Sequence, residues 1–546
     1  MQLPAAVKAK AARQSVYDAI LAAPVIVLMA DPDALVGEKD GIYSKASQSA
    51  GRSLNGVAVQ VQNGATTGTL TASLSISGSS SRFHDVTLKH SLRLKFDGGA
   101  AAGAFLPGMD EQVLLRHPTQ DSWAQGGRWS ALRASARYFS DGMADQWLAA
   151  RGHSHLKRRW VHVFLNQVYW GLYEAVEQQT AAEAGGTLLE PGSLGVTSPI
   201  HGTDSAWRKL MADALTLSRR SRQGEDVGEA WEALLGRLDA ANLADYIALN
   251  IWLGNQDWPI QNYLISGEDG RFHFLSWDAE WVMPVEKLTF PSPLASVLNA
   301  GDGPAALFSL LCDAPAFRQI LRSRLTLESG FDDVDFKKLT KDSAAGIRPL
   351  LTAEAARWGF AYEPGADHLA RWEGNVDWVV DKWIPGRAAK VREEIEKHLK
   401  SIETSQAAAA LRAANQPASK MPDEPVPFVA ALSSPPVDRD GDGITDAWEI
   451  AQGLDPDDPG DAASDPDGDG QSNLEEFLRK RNPRVKDATP RPAASVLTGT
   501  FNRMEKPVIR RGKTVDQTQA ELLKLVPSAE EGAPQAQDSK PDKKSN

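Results

Sequence analysis

The order of apolar and polar residues divides the chain into a strand-rich part followed by a helix-rich part. Pro24–Asp31 is a short apolar run rich in Val, which predicts a buried strand. Residues 50–107 alternate between polar and apolar positions and contain frequent Gly, Ser and Thr, the pattern of strands joined by turns. A helical pattern over 130–151 precedes Trp160–Glu177, which predicts two strands joined near its centre.

From residue 205 onward the apolar positions recur at helical spacing. The helical run is interrupted by a polar loop, Gly254–Asn262, and then by a predicted hairpin with strands Tyr263–Ile265 and Phe272–Trp277. Helical spacing returns over 306–400. Strands followed by helices, with the polar loop between a helix and a hairpin, predict an α+β fold.

The pattern also predicts where the domains end. Residues 1–23 form a helical lead-in and 24–402 the main domain. Residues 403–436 are rich in Ala, Pro and Ser without periodicity, which predicts a linker. A small acidic module follows at 437–484, and the polar composition of 485–546 predicts a disordered tail.

Composition changes this picture mainly through the location of the charge. The net charge of the 546-residue chain is −12, but residues 438–476 contain 14 Asp and Glu and one Arg, so the rest is nearly neutral. The acidity therefore points to a cation site, and no basic surface indicates nucleic acid. The hydrophobic content of 42%, with 16 Trp, is sufficient for a large core.

Cysteine content and apolar run length bear on the compartment. Cys312 is the single cysteine, which excludes an intrachain disulfide and a thiolate zinc cluster. Ala19–Ala30, the longest apolar run, is too short to span a membrane and contains Pro24. No secretory leader is visible at the start, because polar residues precede this run.

Within the acidic module, a 12-residue calcium-loop template fits twice. Such a loop places oxygen ligands at positions 1, 3, 5, 7, 9 and 12 and a glycine at position 6, where Gly443 and Gly470 stand. The ligands of the first loop are Asp438, Asp440, Asp442, Ile444 through its carbonyl, Asp446 and Glu449. Those of the second are Asp465, Asp467, Asp469, Gln471 through its carbonyl, Asn473 and Glu476. The pair resembles thrombospondin type 3 and dockerin-like repeats, which implies Ca²⁺ binding and a spacer or docking role.

A second constellation fits phosphoryl transfer. Asp257 and Asn262 are spaced as Asp-x-x-x-x-Asn after a predicted helix, and Asp278 follows at the end of the hairpin. Protein kinases use this order, with the first Asp near the acceptor hydroxyl and the Asn and second Asp on magnesium.

The surrounding sequence resembles the spore-coat-protein-H (CotH) kinase family. Three blocks carry the resemblance in family order: HVFLNQVYWGLYEAVEQ, LADYIALNIWLGNQDWPIQNYLI and FHFLSWDAEW. SGSSSRFHDVTLKHSLRLKF matches more loosely, so the similarity extends over roughly 30–400. It implies an atypical, two-lobed protein-kinase-like domain that binds ATP with Mg²⁺ or Mn²⁺ and phosphorylates protein Ser or Thr.

Carried onto this chain, the resemblance implies a set of site residues. Asp257 is the expected catalytic base, and the expected metal ligands are Asn262, Asp278 and Glu280. The expected nucleotide-binding residues are Lys89, Arg93, Lys95 and Glu177. The family usually has Asn-Gly at Asn166-Gln167, often Lys-Lys at Lys89-His90 and commonly Arg-Asp at Ser140-Asp141. The second departure leaves open which cation reaches the phosphates.

These observations favour an exported bacterial kinase with a calcium-stabilised module, whose leader is missing from this chain. Its partners would be ATP, an unknown protein substrate and a cell-surface or matrix component bound through the calcium module. The alternative is a non-catalytic kinase-like binding protein in which the calcium module is an attachment spacer; a phosphotransferase acting on a glycan is a third reading. The pair His153 and His155 fits a structural role better than a metal site. Gly78–Ser81 fits a turn or a phosphate-covering loop.

Overall fold

The computed structural model describes most of the chain up to residue 414 and isolated stretches beyond it. The described residues are 5–37, 40–44, 51–78, 80–84, 86–97, 102–109, 111–178, 185–192, 196–283, 292–414, 444, 454–455, 458, 460–466, 468, 472–474 and 484. Most of the predicted linker and acidic module, and all of the predicted tail 485–546, lie outside these residues.

The first part of the chain forms a closed seven-stranded β-barrel. Its strands are β1 (Val25–Met29), β2 (Ser53–Asn63), β3 (Thr66–Ser77), β4 (Ser91–Phe96), β5 (Gln112–Arg116), β6 (Arg158–Leu165) and β7 (Val168–Glu177). The order around the barrel is β1-β2-β3-β4-β5-β7-β6. Neighbours pair antiparallel except β1 and β6, whose parallel pairing closes the barrel.

Alternation of apolar and polar residues along the strands gives the barrel its apolar interior. In β4, Leu92, Leu94 and Phe96 point into the apolar interior, whereas Arg93 and Lys95 face outward. Val57, Val59 and Val61 do the same in β2. β6 and β7 are joined by a two-residue turn in which both residues have positive φ, the geometry that matches the twist of a tight hairpin.

Helices from the whole described chain and a four-stranded sheet make up the rest of the structure. The helices are α1 (Ala5–Leu21), α2 (Pro32–Val36), α3 (Ser140–Ala150), α4 (Ser205–Arg222), α5 (Gly228–Leu235), α6 (Ala240–Leu253), α7 (Leu294–Leu298), α8 (Gly303–Leu311), α9 (Pro315–Arg324), α10 (Asp333–Ile347), α11 (Leu351–Glu354), α12 (Phe360–Tyr362), α13 (His368–Trp378) and α14 (Arg387–Ala414). π-Helical turns occupy Ala355–Gly359 and Val379–Trp383. The sheet has the order β11-β10-β8-β9, with β8 (Leu188–Pro191), β9 (Thr197–His201), β10 (Tyr263–Ser266) and β11 (His273–Ser276).

Helix α6 lies at the centre of the helical core. Nearly all of its residues are buried, and it packs against α3, α8, α9, α14 and strand β11. A helix that is apolar on every side must be surrounded by other elements. This position matters for function, because the polar loop that follows α6 starts from a fixed point.

The structure confirms the α+β fold and most of the predicted elements. The strand at Pro24–Asp31, the two strands of Trp160–Glu177 and the hairpin after the polar loop are all present. The first residues of the predicted linker 403–436 are helical, because α14 continues through the Ala-rich segment to Ala414. Closure of the strands into a barrel and the short strands β8 and β9 were not predicted. None of the helices in the described part of the chain has both the length and the apolar composition needed to cross a bilayer.

Candidate active site

The loop after α6 is fixed at both ends. Gly254 ends the helix in the left-handed conformation (φ +64°), where glycine has no Cβ penalty. Within the loop, the indole Nε1 of buried Trp258 donates a hydrogen bond of 2.8 Å to the hydroxyl of Tyr246, which lies in α6. Asp257 is therefore carried by a loop anchored to the most buried helix of the domain.

Hairpin β10–β11 places the other two kinase-like positions beside each other. Tyr263 pairs with Ser276, so Asn262 enters the hairpin at the same end where Asp278 leaves it. Both Asn262 and Asp278 have positive φ (+64° and +58°), a region that Asn and Asp tolerate better than other non-glycine residues.

Backbone hydrogen bonds hold the loop against the segment that follows Asp278. The Gln256 amide donates to the Trp281 carbonyl at 3.1 Å, and the Met283 amide donates to the Leu253 carbonyl at 2.8 Å. Buried Arg137 also donates to the carbonyl of Met283, at 2.8 Å. The loop and the segment 278–283 therefore form one braced unit.

The carboxylates of this unit meet a cation from the barrel. Arg116, the last residue of β5, donates to Asp141 on α3, to Asp278, and to Glu280 at 2.5 Å. Its guanidinium also lies 5.4 Å from the centre of the Trp277 ring, within cation–π range. Arg116 thus joins the barrel, α3 and the segment after the hairpin at one point.

Gln120 brings Asp257 into the same cluster. Its side-chain amide donates to the Asp257 carboxylate at 2.7 Å, and its backbone amide donates to Glu280 at 2.9 Å. Gln120, in the loop after β5, therefore connects Asp257 with Glu280, and Arg116 connects Glu280 with Asp278. Asn262 lies at this end of the hairpin, and its side chain is not hydrogen-bonded to the cluster within the described part of the chain.

A second arginine extends the cluster of charged side chains around Arg116. Arg158 on β6 contacts Asp141 at 2.7 Å, Glu174 at 2.8 Å, and Asp145 on α3. In the described part of the chain, two guanidinium groups thus meet five carboxylates, a formal surplus of three negative charges. We call this group the arginine–carboxylate centre; its members are Arg116, Arg158, Asp141, Asp145, Glu174, Asp278 and Glu280.

Burial and this surplus shift the ionisation of the centre. Burial lowers the pKa of Arg116, but Asp141, Glu280 and Asp278 outweigh it and hold that pKa above the ordinary value. Burial raises the pKa of Glu280 well above its usual range, and raises that of Asp145 to about 7. Removing water from carboxylates favours their neutral form, so excess negative charge is costly here.

Lys89 lies elsewhere, sealed between the barrel and α11. Its ammonium donates to the Leu172 carbonyl and to Glu354, both at 2.6 Å, and the Lys89 and Glu354 side chains are fully buried. Glu354 also accepts from the Leu172 amide at 2.7 Å and from the Tyr138 hydroxyl at 3.1 Å. Burial lowers the pKa of Lys89, with Glu354 opposing this effect. Lys89 and the centre are thus two separate ionic groups, and the ammonium is enclosed in this conformation.

The remaining cationic candidates lie on the outer face of the barrel. Arg93 and Lys95 are exposed on β4, and Arg93 makes a weak hydrogen bond to the Ser77 hydroxyl at 3.4 Å. Glu177 pairs with Lys157 at 2.9 Å and also accepts from the Lys157 amide at 2.8 Å. None of these contacts joins the arginine–carboxylate centre.

Three side chains carry oxygen atoms suited to bind a divalent cation: Asp278, Glu280 and Asn262. Mg²⁺ and Mn²⁺ prefer hard oxygen ligands, which carboxylates and amides supply. The Asp278 side chain is 36% exposed, whereas that of Glu280 is almost fully buried, so an ion would approach through Asp278. Both carboxylates are paired with Arg116 in this conformation.

Three ligands of the predicted calcium loops fall within the described residues. Ile444 is buried, and Asp465 accepts a hydrogen bond from the Gly468 amide at 2.8 Å, a short turn within the loop. Asn473 donates to the Asp461 carbonyl at 2.7 Å, while its own side-chain oxygen is buried without a hydrogen bond among the described residues. A buried amide oxygen without a donor fits a position that ligates a cation directly or through water.

The other predicted calcium ligands lie outside the described residues. They are Asp438, Asp440, Asp442, Asp446, Glu449, Asp467, Asp469, Gln471 and Glu476.

His153 makes a structural contact. Its Nε2 lies 2.6 Å from buried Asp245, which also binds Arg151 at 2.8 Å and contacts Arg324. Among the described residues, no three His, Cys, Asp or Glu side chains are arranged so that they alone could hold a metal ion. His153 therefore helps to bind α3 to the helical core.

Sequence reasoning did not identify Arg116, Gln120 or Arg158. Arg116 carried a usable signal, because it is a charge at the end of the apolar run that forms β5. Asp141 also carried a signal in the sequence, because it lies in the Ser140-Asp141 pair, where the CotH family commonly has Arg-Asp. Its contacts to two arginines from different strands depend on the tertiary fold.

The comparison with known families agrees with part of this picture. Residues 198–391 match the family described as CotH kinase protein. The matched segment begins in β9 and ends in α14, so it includes Asp257, Asn262, Asp278 and Glu280 but not the barrel. This part of the chain is similar to a kinase family, which indicates a kinase-like protein. A search of curated proteins found no match.

Proposed function

We propose that this protein is an ATP-dependent phosphotransferase that transfers the γ-phosphate to a Ser or Thr hydroxyl of a protein. The observation that carries the proposal is the convergence of Asp257, Asp278 and Glu280, in which Gln120 joins Asp257 to Glu280 and Arg116 joins Glu280 to Asp278. Phosphoryl transfer requires positioning and charge stabilisation more than covalent chemistry, so a few fixed carboxylates suffice. The kinase-like family match over the same segment supports the assignment.

Each residue has a definite role in this proposal. Asp257 orients the acceptor hydroxyl and takes its proton. Asn262, Asp278 and Glu280 hold Mg²⁺ or Mn²⁺, which when bound neutralises charge on the phosphate oxygens. Arg116 is the cation at the site, which places it ahead of the enclosed Lys89 and the outward-facing Arg93 and Lys95 as a phosphate contact.

Calorimetry and phosphate transfer test the proposal together. ATP should bind the full chain when Mg²⁺ or Mn²⁺ is present and should bind weakly in a chelator. Radiolabel from γ-labelled ATP should then appear on the protein itself or on a generic protein acceptor. Absence of ATP binding with either metal would reject the enzyme.

The scaffold alternative has one specific observation in its favour. Asp278 and Glu280 are both paired with Arg116, so the proposed metal ligands are not free in this conformation. A non-catalytic kinase-like protein would bind ATP without transferring phosphate. Binding with no transfer to protein or glycan acceptors would therefore favour the scaffold, and transfer to a glycan alone would change the substrate class.

We also propose that segment 437–484 is a calcium module of an exported protein, attached to a surface or matrix partner. The orphaned oxygen of Asn473 and the dense acidity of 438–476 support a cation there. Calorimetry of the full chain should show calcium binding that is lost from a chain ending at residue 436. Extracellular calcium sites bind weakly, with Kd on the order of 0.1–1 mM, so the native product should fractionate outside the cytosol.

A further inference from the structure

The geometry points to a specific role for Arg116: we propose that it is the resident counterion of the metal site, and that it releases Asp278 and Glu280 when metal and nucleotide bind. The inference rests on the proposed phosphotransferase, and it adds a device by which metal binding depends on nucleotide.

The first argument is competition for the same oxygens. One nitrogen of the Arg116 guanidinium, Nη2, contacts both Asp278 and Glu280. A guanidinium donates hydrogens to carboxylate oxygens, and a metal ion takes lone pairs from the same oxygens. The two cations also repel each other, so occupation of these carboxylates by one disfavours the other.

The second argument is the charge balance of the centre. Even with both arginines in place, the arginine–carboxylate centre retains a formal surplus of three negative charges. The Asp145 oxygen Oδ1 and the Arg158 nitrogen Nη2 are both buried without a hydrogen-bond partner among the described residues, so the hydrogen bonding of the centre is incomplete. A divalent ion compensates this surplus better than a single guanidinium does.

The third argument is that the exchange leaves the deeper part of the centre intact. If Arg116 withdraws, Asp141 keeps its contact with Arg158 at 2.7 Å and its acceptance of the Ala279 amide at 2.8 Å. The freed guanidinium then offers its planar fork of donors to a phosphate, the anion that arrives with the metal. Nucleotide phosphate and metal should therefore bind with positive coupling, because each favours the displaced state of Arg116.

Replacement of Arg116 tests this with Mn²⁺ alone. Arg116→Met removes the resident cation and should increase Mn²⁺ affinity without nucleotide by at least about tenfold, measured by electron paramagnetic resonance of free Mn²⁺. The same variant should bind ATP with Mn²⁺ no more tightly than wild type, because it has lost the phosphate contact. Combining it with Asp278→Asn should abolish the gained Mn²⁺ binding, which locates the ion at this site.

A matched control is available on the helical surface. Arg322 also bridges two carboxylates, Glu396 at 2.9 Å and Glu403 at 2.8 Å, away from the site. Arg322→Met should leave Mn²⁺ binding unchanged. Arg116→Lys, which keeps the charge but offers a single ammonium, should give a Mn²⁺ affinity between those of wild type and Arg116→Met, and thermal unfolding of each variant checks folding.

The inference is wrong if folded Arg116→Met or Arg116→Lys binds Mn²⁺ no more tightly than wild type does. Failure of the proposed function has a different signature. Wild type that binds no ATP with metal would reject the phosphotransferase, while a Mn²⁺ gain in Arg116→Met would still identify Arg116 as the occupant of a cation site.

Discussion

Two buried ionic groups of this protein have different designs. Lys89 and Glu354 form a pair of one cation and one anion, fully enclosed and hydrogen-bonded by Leu172 and Tyr138. In the arginine–carboxylate centre, carboxylates outnumber guanidinium groups, and Asp278 is 36% exposed.

Under the proposed function, this difference separates a structural group from a functional one. A matched, enclosed pair has no remaining charge to offer and no path by which a ligand reaches it, so its contribution is to the fold. An unbalanced centre with an opening favours a cation or a proton, so it is suited to ligand binding and chemistry. A lysine was expected at the phosphates from sequence, yet the open group contains arginine.

The largest expected effect comes from Asp257, at the edge of the open centre. Asp257→Asn keeps the shape and the hydrogen bond from Gln120 but removes the base, so phosphate transfer should fall by ~10²–10⁴-fold while ATP affinity is retained. Radiolabel transfer and calorimetry measure the two quantities. Asp269→Asn, an exposed change at the other end of the same hairpin, is the matched control and should leave transfer unchanged.

The next effect concerns the enclosed pair and appears in stability. Lys89→Met leaves the Glu354 carboxylate buried without its cation, which should lower the free energy of unfolding by about 3–5 kcal/mol. Urea denaturation measures this loss. Lys157→Met breaks a pair with Glu177 in which the lysine is 54% exposed, and should cost less than about 1 kcal/mol.

The double variant Lys89→Met with Glu354→Gln separates the pair from the rest of the packing. Because it removes both charges, it should recover part of the lost stability. A stable Lys89→Met with reduced ATP affinity would contradict the comparison, since it would place Lys89 at the phosphates.

The sequence predicted local features of the molecule but not those that depend on the tertiary fold. Most of the longer helices and strands, the α+β fold and the order of Asp257, Asn262 and Asp278 are local or sequential features, and periodicity and spacing reveal them. Barrel closure requires β1 to pair in parallel with β6, more than a hundred residues later in the chain. No local pattern encodes that pairing.

The partners of charged residues were hidden for the same reason. Lys89 meets Glu354 only because α11 packs on the barrel, and Arg116 meets Glu280 only because β5 ends beside the hairpin. Spacing identifies a residue type suited to a reaction, but burial and charge balance, which decide its availability, come from the tertiary fold.

A smaller effect is expected at Asp278, the exposed carboxylate of the open centre. Asp278→Asn removes a metal-ligand charge, so it should weaken ATP binding in the presence of Mg²⁺ at least about tenfold, or ~1.4 kcal/mol. The amide still accepts from Arg116, and the free energy of unfolding should change by less than about 1 kcal/mol. Calorimetry with urea denaturation measures both; a loss of several kcal/mol in stability would make the centre structural, like the Lys89–Glu354 pair.

The smallest effect is a pH dependence that arises from the charge surplus of the open centre. Burial raises the pKa of Asp145 to about 7 in the folded protein, well above its unfolded value, so folding takes up a proton between these two pKa values. Stability from this group is therefore fully present at low pH and is lost as pH rises toward about 7. Asp145→Asn cannot ionise, so its unfolding free energy relative to wild type should increase by about 1 kcal/mol between pH 6 and 7. Urea denaturation at the two pH values measures the difference. A pH-independent difference for Asp145→Asn would mean that the centre carries its full charge without cost, and the contrast with the enclosed pair would then rest on access alone.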